Sequence, residues 1–222
     1  MKSRTIVGIF LVGLMGITFS GCGGGDSSAP TINTNEYNVR ALPTQDYDIN
    51  LNFSYTSGVT GTASIKKVYI GDELVNGISV KSMHQRVTVT TNGSVFTFDQ
   101  DIGYDSNGIM LLSLDNDDNT ICSLQNTPTP LPTAGKVGDN STISAEYSCT
   151  NGTTLTQRWS LTDAGNGNAF LTFTTTFYNV ANNVESIEIE KITINSNSVP
   201  IFYNLDEELI LAQDSFTASG SF

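Results

Sequence analysis

Between Tyr47 and Tyr55 every second residue is apolar. Tyr47, Ile49, Leu51, Phe53 and Tyr55 fall on one side of the chain, and Asp48, Asn50, Asn52 and Ser54 on the other. Period two is the spacing of a strand, which sends successive side chains to opposite faces; a helix would scatter these apolar groups around its circumference. The same alternation returns in Ile143, Ala145, Tyr147 and Cys149, and in Leu155, Trp159 and Leu161. Turn dipeptides punctuate it. Asn92-Gly93 divides Val87 to Thr91 from Val95 to Phe98, Asn107-Gly108 precedes Ile109 to Leu114, Asn151-Gly152 follows Cys149, and Gly165-Asn166-Gly167 precedes Leu171, Phe173 and Phe177. Asn-Gly is favoured where both central residues of a tight turn need positive φ, and strands joined by such turns run antiparallel. Counting runs gives about ten to twelve strands, so the fold class is all-β: an antiparallel sandwich or a partly closed barrel built from hairpins.

Two segments depart from the simple pattern. In Val184 to Asn195 the apolar phase slips, Ile187 and Ile189 lying on one parity and Ile192 and Ile194 on the other, so a bulge near Glu190-Lys191 is expected. Leu205 to Gln213 fits a short helix or a strand; the absence of a helix stop signal before Asp214 favours strand. Thr127-Pro128-Thr129-Pro130-Leu131-Pro132 cannot be central strand, because proline lacks the ladder donor. This stretch is read as a crossover joining possible halves 45–126 and 140–222 within a single β domain over residues 45–222.

The first residues are of another kind. Lys2 and Arg4 precede an uncharged, mostly apolar run from Thr5 to Thr18, the order of a secretory signal and short for a membrane span. It leads into Phe19-Ser20-Gly21-Cys22, which resembles the lipobox of bacterial lipoproteins. That resemblance implies a signal peptide over residues 1–21, lipidation of Cys22, and a membrane partner reached through N-terminal lipid. Gly23 in place of aspartate implies the outer membrane as the destination, with the domain facing either the periplasm or the outside. Residues 22–44, polar and holding Pro30 and Pro43, are read as a lipidated flexible tether.

Removing residues 1–21 takes two of ten basic side chains and none of the 22 acidic ones, moving the formal charge from −12 to −14. Such a surface repels nucleic acid, which is excluded as a partner. With Cys22 assigned to lipid, Cys122 and Cys149 remain as a pair that an oxidising compartment would join.

A second resemblance covers roughly residues 105 to 200. Leu131-Pro132, Gly135-Lys136-Val137-Gly138-Asp139, Tyr147-Ser148-Cys149, Asn151-Gly152-Thr153, Arg158-Trp159-Ser160 and Asp163-Ala164-Gly165-Asn166-Gly167 look like a pattern found in β-rich proteobacterial lipoproteins of unknown function. Its motifs are turns and packing positions, so it implies kinship and imports no catalytic residue.

The inventory for chemistry is thin. His84 is the single imidazole, no Gly-x-Ser-x-Gly elbow accompanies it, and it is read as a surface strand residue. No phosphate-binding glycine loop precedes a helix, and no cofactor is implied. Asp115, Asp117 and Asn119 resemble the first half of a calcium loop, but Thr120 stands where glycine is needed and Asn126 where a bidentate glutamate is needed, so the segment reads as a polar turn and no metal is assigned. Trp159 shares the parity of Leu155 and Leu161 and is read as core. These features favour a non-catalytic structural or interaction module. The alternatives are a binding module for an apolar ligand or carbohydrate, and a hydrolase using paired carboxylates. Phe222 invites comparison with membrane barrels, but counting back by twos gives Gly220, Ala218, Phe216 and Asp214, a poor lipid-facing stripe.

Overall fold

The structure, a computed structural model, describes residues 33–209 and 214–222; the signal, the lipobox with Cys22 and the first part of the tether lie outside them. Twelve strands follow one another: β1 (Tyr47–Tyr55), β2 (Thr60–Val75), β3 (Ile78–Thr91), β4 (Ser94–Tyr104), β5 (Met110–Asp115), β6 (Ile121–Leu124), β7 (Ala145–Cys149), β8 (Thr154–Gly165), β9 (Asn168–Tyr178), β10 (Val184–Ile194), β11 (Pro200–Leu209) and β12 (Asp214–Ser221). Each pairs antiparallel with the next, and β12 returns to β1, so the sheet is a closed barrel. Closure removes both free edges, which decides between the two expected architectures.

The alternation seen in the sequence becomes an inside and an outside. On β1 Ile49, Leu51 and Phe53 are buried while Asp48, Asn50, Asn52 and Ser54 are exposed. The same interior receives Ala63 and Ile65 of β2, Val87 and Val89 of β3, Trp159 and Leu161 of β8, Leu171 of β9, Ile192 and Ile194 of β10, and Leu205 of β11. Each fully buried large aliphatic side chain contributes about 1.5–3 kcal/mol. The wall of β1 that faces outward is thus carboxylate, amide and hydroxyl, suited to water. No helix among the described residues is long and apolar enough to cross a membrane.

Turn chemistry follows the sequence at two hairpins. Asn92 and Gly93 have φ of 48° and 77°, and Asn166 and Gly167 have 55° and 75°, the left-handed pair of a type I′ turn. At Asn151-Gly152 only Gly152 is left-handed, at 87°. There the Asn151 side chain caps the turn instead, accepting a hydrogen bond from the Thr153 amide at 3.0 Å.

Two expectations are corrected. First, the tether does not extend to residue 44. Tyr37 and Val39 are fully buried, and the Tyr37 and Gly135 backbones exchange hydrogen bonds of 2.8 and 2.9 Å. The Val39 amide donates to the Pro132 carbonyl at 3.1 Å, and the Tyr37 hydroxyl donates to the Gly167 carbonyl at 2.8 Å. Two alternating apolar residues inside a polar stretch are enough to dock it against the crossover. The crossover, expected within a single β domain, joins strands of one barrel and packs into its core: Leu131 is buried, and Trp159 Nε1 donates to the Thr129 carbonyl at 3.0 Å. Second, no bulge interrupts β10 near Glu190-Lys191. Pairing with β9 and β11 runs unbroken through these residues, and register shifts occur only between Val184 and Ser186 and between Thr193 and Ile194. Leu205 to Leu209 is strand, within β11.

Cys122 and Cys149 sit directly opposite each other on β6 and β7 and are joined as a disulfide, with Cα atoms 4.0 Å apart.

Candidate functional site

Unbroken pairing of β10 has a chemical consequence. Ile192 and Ile194 are buried in the core, so the residues two and four positions earlier share their face. Those residues are Glu190 and Glu188. Ile187 and Ile189 take the outer face, and two carboxylates enter the barrel instead. Glu188 is only 6% exposed. Lys67, two residues beyond Ile65 on β2, is likewise turned inward and is 5% exposed.

Lys67 lies among tyrosines. Its Nζ donates to the Tyr104 hydroxyl at 3.0 Å and stands 4.6 Å from the centre of that ring and 5.8 Å from that of Tyr47, positions that favour a cation electrostatically. Tyr47 and Lys67 are register partners on β1 and β2, and Gln85 of β3 is the next partner of Lys67. No carboxylate oxygen among the described residues comes within 4.0 Å of Lys67 Nζ; the ion pairs found there are on the outer side, as with Arg86 and Asp99 or Lys66 and Asp48.

The electrostatics follow from removing charge from water. Burial lowers Lys67 from 10.5 to about 8, opposed by the Glu190 carboxylate. Burial raises Glu190, while Lys67 and then the Tyr203 hydroxyl pull it back. Glu188 is pushed well above the usual carboxylate range by burial and then by the charge of Glu190. Tyr47, Tyr104 and Tyr203 are all raised, in each case first by burial and then by Glu190. One polar group of carboxylates, ammonium and phenols therefore shares the lumen. Tyr147 extends it: the hydroxyl is buried with no hydrogen-bond partner, and Tyr104 is near enough to raise its ionisation after burial has done so.

Several inward-facing residues, Tyr47, Gln85, Tyr104, Gln157, Phe173 and Glu190, are only partly buried. Around Glu188 the wall is Thr175, its register partner on β9, and Ser186, both buried; Gln157 Nε2 donates to Thr175 Oγ1 at 3.2 Å.

A separate shallow groove of about 460 Å³ crosses the outer faces of β1, β12 and β11, lined by Asn52, Ser54, Asn204, Asp206, Thr217 and Ser219. It aims no buried ionisable group at a ligand.

The residues singled out from sequence are dispersed. Cys22 lies outside the described residues. The Cys122–Cys149 bridge is in the wall. His84 is on the outer face, half-buried, with Nδ1 2.7 Å from Asp101 and Nε2 3.2 Å from Asp99. Asp115, Asp117 and Asn119 form a hairpin turn in which the Asp115 carboxylate accepts the Asp117 amide at 2.8 Å and Asn119 is left-handed at 62°. Nowhere among the described residues do three histidine, cysteine, aspartate or glutamate side chains converge as a metal site would require. The lumen group was not found from sequence. Counting back by twos from Ile194 would have placed Glu188 and Glu190 inside, and counting forward from Ala63 would have placed Lys67 there.

Comparison with known proteins gives no further guide: no family model, no curated protein and no solved structure matches this chain.

Proposed function

We propose that the protein is an envelope lipoprotein, held to the outer membrane through lipid on Cys22, whose barrel binds a small ligand in its lumen without catalysing a reaction on it. The supporting observation is that Lys67, Glu188 and Glu190 all point into the barrel, with no direct ion pair to Lys67. Burying a charge costs several kcal/mol unless it is paired and hydrogen-bonded, so a purely structural module would gain stability by filling these positions with apolar residues. Perturbed ionisable groups gathered in a cavity are the mark of a binding or reacting site. The paired-acid hydrolase reading draws on the same carboxylates. It is the weaker of the two, because Glu188 and Glu190 stand side by side on one strand instead of flanking a bond from opposite walls.

The test has two parts. Cells fed a clickable fatty acid should label the wild-type chain and not the Cys22→Ser variant; equal labelling refutes the anchor. The full chain, extracted in mild detergent, should show by native mass spectrometry a non-covalent mass that leaves on denaturation and is lost in Lys67→Met together with Glu190→Gln. Retention of that mass by the double variant, or its absence from wild type, refutes the lumen site.

A further inference from the structure

The three ionisable side chains turned into the barrel are not equally provided for. Lys67 has the Tyr104 hydroxyl and two aromatic faces. Glu190 has the Tyr203 hydroxyl and the field of Lys67. Glu188 has neither: no hydrogen bond or ion pair reaches its carboxylate among the described residues, although it is 6% exposed, and its nearest charged influence is the like charge of Glu190. Glu188 is therefore a buried carboxyl group turned into the barrel with no protein donor on it among the described residues.

We infer that the lumen takes a small organic ammonium ion, a protonated primary amine on an apolar body, whose N–H groups are received by the Glu188 carboxylate; this rests on the lumen-binding reading above. The surroundings suit that shape. A carboxylate only accepts hydrogen bonds, so its partner must bring N–H donors, and charge-assisted bonds of this kind are the strong ones. Thr175, across the register from Glu188, and Ser186 supply further hydroxyl oxygens. Phe173 is the register partner of Glu190, and Phe177 that of Ser186. Both are partly buried and pack against the core clusters, leaving aromatic surface for the hydrocarbon part of the ligand. A bare metal ion fits less well, since it would need several oxygens converging at short range.

Binding is then linked to protons. Glu188, raised by burial and by Glu190, has to be ionised to hold an ammonium ion. The groups bearing on it are Glu190, which disfavours ionisation, and the Tyr203 hydroxyl. Affinity should rise with pH above the ordinary carboxylate range, and binding should release a proton while Glu188 is protonated in the free protein.

The experiment is calorimetric titration of the full chain in mild detergent with butylammonium and phenethylammonium, alongside the neutral 3-phenylpropanol, the anionic 3-phenylpropanoate and calcium chloride, in two buffers of different ionisation heat. At least one amine should bind, with Glu188→Gln weakening it by roughly tenfold or more, and the heat should differ between buffers by the released proton. Glutamine keeps the shape of the side chain, and unchanged Trp159 emission certifies that the variant is folded. Equal binding of the neutral or anionic probe, Glu188-dependent binding of calcium, or undiminished amine binding by Glu188→Gln each overturns the ammonium proposal. Those outcomes leave the lumen-binding reading standing. If no probe binds and no ligand co-purifies, both fall.

Discussion

Replacing Lys67 by methionine should change the pH dependence of stability in a calculable way. In the folded protein burial holds Lys67 at about 8, against 10.5 in the unfolded chain. Between these values the unfolded chain keeps a proton that the folded chain has released. Stability from this group therefore rises with pH across the interval and is lost as pH falls through about 8. At 1.36 kcal/mol per pH unit, the gap corresponds to at most about 3 kcal/mol. The side chain is 5% exposed, so solvent screening removes little of this. Above about pH 10 the sign reverses, because Tyr47, Tyr104, Tyr147 and Tyr203 are raised by burial and the unfolded chain then loses protons the folded chain keeps. The informative window is thus about pH 7.5 to 10. Urea unfolding followed by the emission of Trp159, the single tryptophan, should show wild-type stability climbing by about 2 kcal/mol across it and Lys67→Met remaining flat. Comparison of slopes is preferable to comparison at one pH, since removing the ammonium also takes from Glu190 the charge that steadies it. Parallel slopes in the two proteins would refute the assignment of Lys67 as a buried, charged core residue.

Three further outcomes are expected. Glu188, raised in the folded state by burial and by Glu190, contributes stability that is present below about pH 4.5 and lost as pH rises through its folded value; Glu188→Gln should flatten that decline in the same urea assay. Reducing the Cys122–Cys149 bridge, which spans 27 positions, should cost about 3–4 kcal/mol in the chain-entropy account, read as a lower urea midpoint in wild type and no further loss in Cys122→Ala/Cys149→Ala. Gly220→Ala should destabilise by about 2 kcal/mol or more, because a Cβ there would overlap the Asn50 carbonyl oxygen and come within 2.9 Å of Leu51 Cδ2; thermal unfolding by circular dichroism reads it directly.

The barrel was legible in the sequence wherever one face was apolar and the other polar, as in β1 and β8. It was misread in β10 because both faces there hold isoleucines. Ile187 and Ile189 made the outer parity look like the inner one, and an inserted residue was the cheapest way to reconcile them. Closure forbids that reading: β10 must hydrogen-bond to β9 and β11 together, and both registers pass through Glu190 without a gap. The candidate site stayed hidden for the same reason, since hydrophobic periodicity treats a glutamate as evidence of the outside. Docking of Tyr37 and Val39 against Gly135 and Pro132 was also invisible locally, because it joins segments almost a hundred residues apart.

Every neighbour pair around the barrel joins consecutive strands except the seam between β1 and β12. That seam has four register partners, Asn52 to Tyr55 against Ser219 to Phe216, where β1 and β2 share eight. Hairpins of low sequence separation can zip progressively from any starting point, whereas the seam must bring together residues more than 160 positions apart. The barrel is therefore expected to form as a curling ribbon whose last event is its own closure, and amides along the seam should be among the first to exchange with solvent in the native state.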